Sequence, residues 1–391
     1  MVRSGLDILL TKRRSLIRGK RAGLVVNHTA VDASLVHIID HFIASDDLKP
    51  HRLFGPEHGI WGAAQDMEAV DSGRDAHSGL PLVSLYGHDE ASLLPSEDAL
   101  RDLEVIVFDI QDIGARYYTF AYTLAFVMEA AGRAGIPVIV CGRPNPISGE
   151  HIEGNRLDMA YRSFVGRFPL PMRHGMTLGE LAYYFQRAHG ISCELEVIPM
   201  DGWRRSFFFD QTGLPWVQPS PNMPTPETAL IYPGLCLIEG TNLSEGRGTT
   251  RPFHLVGAPF FRPHAAAKAL NALNVPGARW RPTYFTPMFQ KHRGQVCGGV
   301  ELHVIDRDAF HAVHAGLALL HVAHRLHPNT FAWRTDAYEF VSDRLAIDLL
   351  GGGPALRRSI EEDVAPAEIL RAWEPQARAF ERERRGYLLY E

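Results

Sequence analysis

Short apolar runs break off into polar, glycine-turned clusters, and they alternate with helical stretches through the first half of this chain. Residues 105–120 read VIVFDIQDIGARYYTF and residues 51–62 read HRLFGPEHGIWG. Earlier, RAGLVVN runs into Asn27, His28 and Thr29, and later come PLVSLY (81–86) and PVIVC (137–141). Helical stretches are expected near Ser34 to Ile43 and from Thr119 to Ala134. Strand, helix, strand at this spacing means right-handed crossovers and a mostly parallel α/β sheet. In such sheets ligands bind outside the carboxyl ends of the strands. Glu57, His58, Asp109, Gln111, Asp112 and Arg116 stand at such ends, so an active site is expected there.

At 391 residues the chain exceeds one ordinary core, and two domains are expected. The stretch PWVQPSPNMPTP (215–226), with five prolines, cannot be a regular element and marks the boundary. Residues 1–220 then form the sheet domain, and 221–391 a smaller α+β domain that closes a cleft. In the second part VELHVI (300–305) reads as a strand and 309–324 as a helix. Two further helices, 367–373 and 376–381, are expected on either side of Pro375. Thr177 followed by Glu180 is a capping box opening the helix LGELAYYFQRA.

A net charge of −5 argues against a general nucleic-acid binder. No run approaches the roughly 18 apolar residues of a membrane span. The N-terminus lacks the apolar stretch of a signal peptide, and the four cysteines form neither a CxxC pair nor a disulfide framework. The expected compartment is therefore the cytoplasm. His311, His314, His321, His324 and His327 recur on one helix and are expected to decorate its surface rather than bind metal. No GxGxxG turn, HExxH, GxSxG elbow or P-loop occurs, which removes the dinucleotide, zincin, α/β-hydrolase and Walker-type readings.

Glu57, between Pro56 and His58 with Trp61 close by, is a candidate general acid, because burial against an indole favours the protonated carboxyl. Asp109, Gln111 and Asp112 suit a divalent metal, a positioned water or sugar hydroxyls, with capping and an Arg116 ion pair as the plain alternative. Glu129 lies on an apolar helix face, where it is either surface-exposed or buried with a partner; pattern favours neither. Arg143 and Asn145 (GRPNP), His174 (MRHGMT) and Asn222 (PSPNMP) add polar groups at loop junctions. Glu239 and Arg247 belong to CLIEGTNLSEGRGTTRPF, which reads as the wall of a polar-ligand cleft or as a surface loop.

Taken together, GLVVNHTAVD, LFGPEHGIWG, GLPLVSLYG, VFDIQDIGARYYTF, RPNPISGEHIEG, PMRHGMTLGEL, PSPNMP and IEGTNLSEGRGTTRPF, in this order, resemble the NamZ-type exo-β-N-acetylmuramidases over nearly the whole length. The resemblance implies a Rossmann-like N-terminal domain, a smaller C-terminal domain and a cleft between them. It implies release of N-acetylmuramic acid (MurNAc) from the non-reducing ends of peptidoglycan fragments, without a cofactor or metal. A glutamate pair would serve, with Glu57 as one member, Glu129 as its partner and Glu239 in reserve. The sugar's lactyl carboxylate needs a cation, for which Arg116, Arg143 and Arg247 are candidates. Asn27, His58, His174 and Asn222 would bind hydroxyls or the acetamido group. Two rival readings are a metal-dependent hydrolase built on Asp109, Asp112, His58 and His174, and a muropeptide-binding protein without activity.

Overall fold

A computed structural model describes residues 1–391. Strands β1 (Arg21–Val26), β2 (Lys49–Gly55), β3 (Gly73–Arg74), β4 (Pro81–Ser84), β5 (Val105–Asp109) and β6 (Val138–Cys141) follow one another along the chain. A two-stranded antiparallel ribbon, β7 (Glu153–Arg156) with β8 (Pro171–Arg173), precedes β9 (Leu195–Ile198). The main sheet has the order β3-β4-β2-β1-β5-β6-β9, and every pairing in it is parallel except that of the edge strand β3. β5 and β6 are buried along their whole length, as continuous apolar strands covered on both faces must be.

The chain leaves β1 toward β2 on one side and reaches β5 on the other, so the topological switch point lies at β1. Register pairs Val25 with Phe54 and Val26 with Asp109. That alignment brings Asn27, Glu57 and Gln111 out along one edge of the sheet.

The strands expected from the sequence all form, with ends displaced by at most three residues, the largest shift being at the start of the 300–305 strand, which begins at Cys297. The first expected helix is shorter and spans Ile38–Ile43. The Asp32 side chain accepts the N–H groups of Ser34 and Val36, a local turn that postpones the helix to His37. The two helices expected around Pro375 are one, Pro366–Arg384, with the proline inside. Ile369, Trp373 and Phe380 bury one face of it, and that burial carries the helix past the missing N–H.

The smaller antiparallel sheet has the order β10 (Leu255–Ala258), β12 (Cys297–Val304), β11 (Ala278–Phe285). Helices Pro226–Leu235 and Ala312–Leu326 pack together beside it at very close range. A Cβ on Gly234 would sit 1.7 Å from the Ala312 carbonyl oxygen, so only glycine allows this approach. His321 and His327 are buried on or at the end of the second helix, contrary to the expected surface decoration; the helix packs into the core on more than one side. One apolar core of 85 residues runs without interruption through both parts of the chain.

Candidate active site

Glu57 follows β2 directly. Its neighbour His58 has φ +70° and Gly59 φ +77°, so the chain turns sharply and a non-glycine residue bears left-handed strain. The Glu57 side chain is buried and lines a narrow cavity. Thr119, at the N-cap of the Phe120–Ala134 helix, makes no capping bond of its own; its hydroxyl donates to Oε2 of Glu57 at 2.6 Å. Trp61 does not close over Glu57 as expected. It is 45% exposed, donates its indole N–H to Asp75 at 2.8 Å and packs against His37. Tyr118, Phe120 and Val165 form the apolar wall instead.

The opposite wall comes from the C-terminal part. The Pro226–Leu235 helix runs into a 3₁₀ turn, Cys236–Gly240, that presents Glu239. Arg247 Nη2 donates to Glu239 Oε1 at 2.8 Å, and the Tyr338 hydroxyl donates to Oε2 at 2.7 Å. Burial nevertheless raises the pKa of Glu239, against the pull of Arg247. Arg247 also lies 3.2 Å from Asp66 and 3.4 Å from Glu245. One guanidinium ringed by three carboxylates is already neutralised and is not a free grip for a substrate anion.

Glu339, which the sequence reading missed, lines the same cavity. Tyr338 and Val341 exchange both backbone hydrogen bonds, closing a two-residue turn in which Glu339 (φ +46°) and Phe340 (φ +67°) are both left-handed. Such turns favour Asn-Gly or Gly-Gly, so two bulky residues here store strain. The turn sends Tyr338 to Glu239 while Glu339 accepts from the Tyr86 hydroxyl at 2.9 Å. Burial first, and the neighbouring Glu57 second, push the Glu339 carboxyl well above the usual carboxylate range. The only sequence sign of it is an acid between two aromatic residues.

Of the other expected residues, His58 and Asn222 also line this cavity. His58 Nδ1 donates to the Ala64 carbonyl at 3.0 Å, which fixes the ring and leaves Nε2 free of this bond. Asn222 Nδ2 donates to the Gln65 side chain at 3.0 Å. The structure does not bring Glu129 here: it faces away, and Arg167 grips both its oxygens at 2.7 and 2.9 Å.

Arg116 is fully buried and donates to the carbonyls of Asn155, Leu170 and Leu350 at 2.7–2.9 Å, a tie between the two halves of the chain. Arg143 grips Asp109 bidentately at 2.5 and 2.7 Å. Asn27 accepts from the Thr29 hydroxyl, and that hydroxyl's oxygen in turn accepts the N–H of Gln111. The Gln111 amide donates to the carbonyls of Asp112 and Pro144. Asn145 donates to the Met176 carbonyl, and His174 Nδ1 accepts the N–H of Met176. Burial beside three arginines drops His174 to about 3, so its ring stays neutral. Burial lifts Asp112 to about 7, with only its Oδ2 bonded, to the N–H of Gly114. The residues at the switch point thus hold the loops in place, and the four groups of the metal reading are each engaged separately.

Residues 22–227 match the family described as exo-β-N-acetylmuramidase NamZ, N-terminal, and residues 230–390 match its C-terminal counterpart. The chain belongs to the exo-β-N-acetylmuramidase NamZ family. It is 44% identical over 389 residues to the peptidoglycan β-N-acetylmuramidase NamZ of Bacillus subtilis (strain 168), covering 100% of this chain and 91% of that protein. Two crystal structures of DUF1343 family proteins from Bacteroides fragilis NCTC 9343 share the fold. One has a TM-score of 0.89 at 32% identity and the other 0.76 at 29%; each comparison covers 100% of this chain and 99% of the other. Both halves of the NamZ family region contribute to the cavity, Glu57 from the first and Glu239 and Glu339 from the second.

Proposed function

We propose that this protein is an exo-acting β-N-acetylmuramidase that releases MurNAc from the non-reducing ends of peptidoglycan fragments, with Glu57 and Glu239 as its working carboxyl groups. The observation that carries the pairing is positional. Of the three glutamates considered from the sequence, Glu57 and Glu239 are buried in the wall of one cavity, and Glu129 is not.

Their surroundings support a division of labour. Both oxygens of Glu239 accept hydrogen bonds, one from a cation, an arrangement suited to a carboxylate that faces positive charge developing at the anomeric carbon. Glu57 accepts only from the Thr119 hydroxyl, which orients it and leaves Oε1 for proton transfer to the departing oxygen. Glu339, its carboxyl pushed upward by burial, adds a third carboxyl group to the same cavity, and acids in unlike surroundings can divide the acid and base roles. The division of the chain at residues 220 and 221 fits this reading, since substrate would enter between the two parts. All four cysteines are free, which supports work in a reducing compartment, the cytoplasm.

The test is hydrolysis of a chromogenic β-MurNAc glycoside. Glu57→Gln and Glu239→Gln should each lower kcat by roughly 10²–10⁴-fold, the usual worth of a positioned acid or base. Glu129→Gln should turn over at the wild-type rate. Normal kcat in either of the first two variants removes that residue from the mechanism, and tight binding without cleavage by the wild type would make the protein a muropeptide receptor.

A further inference from the structure

Beside the narrow cavity of ≈ 40 Å³ lies a much larger chamber of ≈ 620 Å³, and Asp66 and Glu239 line both. We infer that this outer chamber recognises a carboxylate on the sugar, and that Arg334 is the residue that grips it. The inference rests on the muramidase reading and supplies the cation which none of the three arginines considered from the sequence can provide.

Lys291, His292 and Arg334 are the basic residues on the chamber wall. Lys291 is saturated, at 2.9 Å from Glu245 and 3.0–3.3 Å from the carbonyls of Leu243, Ile238 and Glu239. His292 Nε2 donates to the Asn242 carbonyl at 2.7 Å. The acids of the chamber are likewise engaged, Asp66 and Glu239 by Arg247 and Glu245 by Lys291, apart from Asp336 on the exposed rim.

Arg334 differs. No carboxylate pairs with it, and its hydrogen-bonding contacts are neutral: the Ala337 carbonyl at 3.3 Å and the Met67 sulfur at 3.8 Å. Its backbone is fixed, because its N–H donates to the Gly240 carbonyl at 2.9 Å. Its guanidinium lies 5.2 Å over the ring of Tyr338, the residue whose hydroxyl holds Glu239. An unpaired planar guanidinium, preset one aromatic ring away from a catalytic acid, is matched to a carboxylate carried on the sugar undergoing cleavage. On MurNAc that group is the lactyl carboxylate; GlcNAc lacks it.

The experiment compares wild type, Arg334→Ala and Arg334→Lys on β-MurNAc and β-GlcNAc chromogenic glycosides, with calorimetric titration of free MurNAc and of its lactyl methyl amide. Arg334→Ala should lower kcat/KM for the MurNAc glycoside roughly 10- to 100-fold, mostly through KM, and leave the GlcNAc glycoside rate unchanged. Arg334→Lys should fall between, since it keeps the charge and loses the fork. The methyl amide should bind wild type and Arg334→Ala equally. An unchanged MurNAc-to-GlcNAc ratio in Arg334→Ala, or equal affinity of wild type and variant for MurNAc, overturns the assignment. Failure of the wild type to hydrolyse either glycoside would instead sink the muramidase reading, and the MurNAc titration alone would then judge Arg334.

Discussion

The hydroxyl of Thr119 donates a 2.6 Å hydrogen bond to Glu57 across a separation of 62 residues. It joins the N-cap of a 15-residue helix to the loop after β2, so the acid is oriented by an element that belongs to a different strand–helix unit. Thr119→Val keeps the shape and removes the donor. A hydrogen bond to a neutral carboxyl contributes about 0.5–1.5 kcal/mol, so kcat should fall roughly 2- to 10-fold. KM should barely change, because the contact positions an acid rather than binding substrate. Steady-state kinetics on the MurNAc glycoside check this, and an equal loss in KM and none in kcat would mean that Thr119 meets the sugar instead.

Asp109 and Arg143, which the sequence reading set against the substrate, are partners of one another in the protein interior. Asp109→Asn leaves the guanidinium buried without its counter-charge and should lower stability by about 3–5 kcal/mol. Chemical denaturation measures that loss. Pairing Asp109→Asn with Arg143→Met should recover part of it, and the folded protein should keep its kcat. A kinetic defect at full stability would return both residues to the active site.

Asp112 gives the molecule a pH-dependent weakness. Burial raises its carboxyl from 3.8 to about 7, so the fold favours the protonated form. The stabilisation is complete below about pH 4, is lost progressively as pH rises from about 4 to about 7, and stays lost above that. Asp112→Asn keeps an acceptor for the Gly114 N–H and does not titrate. Its melting temperature relative to wild type should therefore climb between pH 4 and pH 7. Calorimetry at pH 4, 5.5 and 7 reads the difference, and a constant gap would show that Asp112 ionises as freely in the fold as outside it.

How far each residue was legible follows from how local its environment is. The end of β2 and the sharp turn through His58 are properties of a dozen consecutive residues, and Glu57 could be singled out from them. The capping box at Thr177 and Glu180 is equally local and forms as expected. Glu129 was ambiguous because helical periodicity states which face a side chain shares, not what covers that face; Arg167, 38 residues away, decided it. Glu339 had no local signature beyond its aromatic neighbours, since its turn contains none of the glycines that usually announce one.

Apolar periodicity along the chain, together with the prolines between 215 and 226, determined by itself that a parallel sheet forms and that polar clusters gather along its carboxyl edge. Those are consequences of backbone geometry and burial, which act over a few residues. Tertiary structure alone decided which of the clustered groups face a cavity and which brace the scaffold. Asp109 and Arg116 are drawn inward by partners far along the chain, while Glu57, Glu239 and Glu339 converge from segments up to 282 residues apart. The physical reason is that a buried polar group must be satisfied, and the group that satisfies it can come from anywhere in the chain.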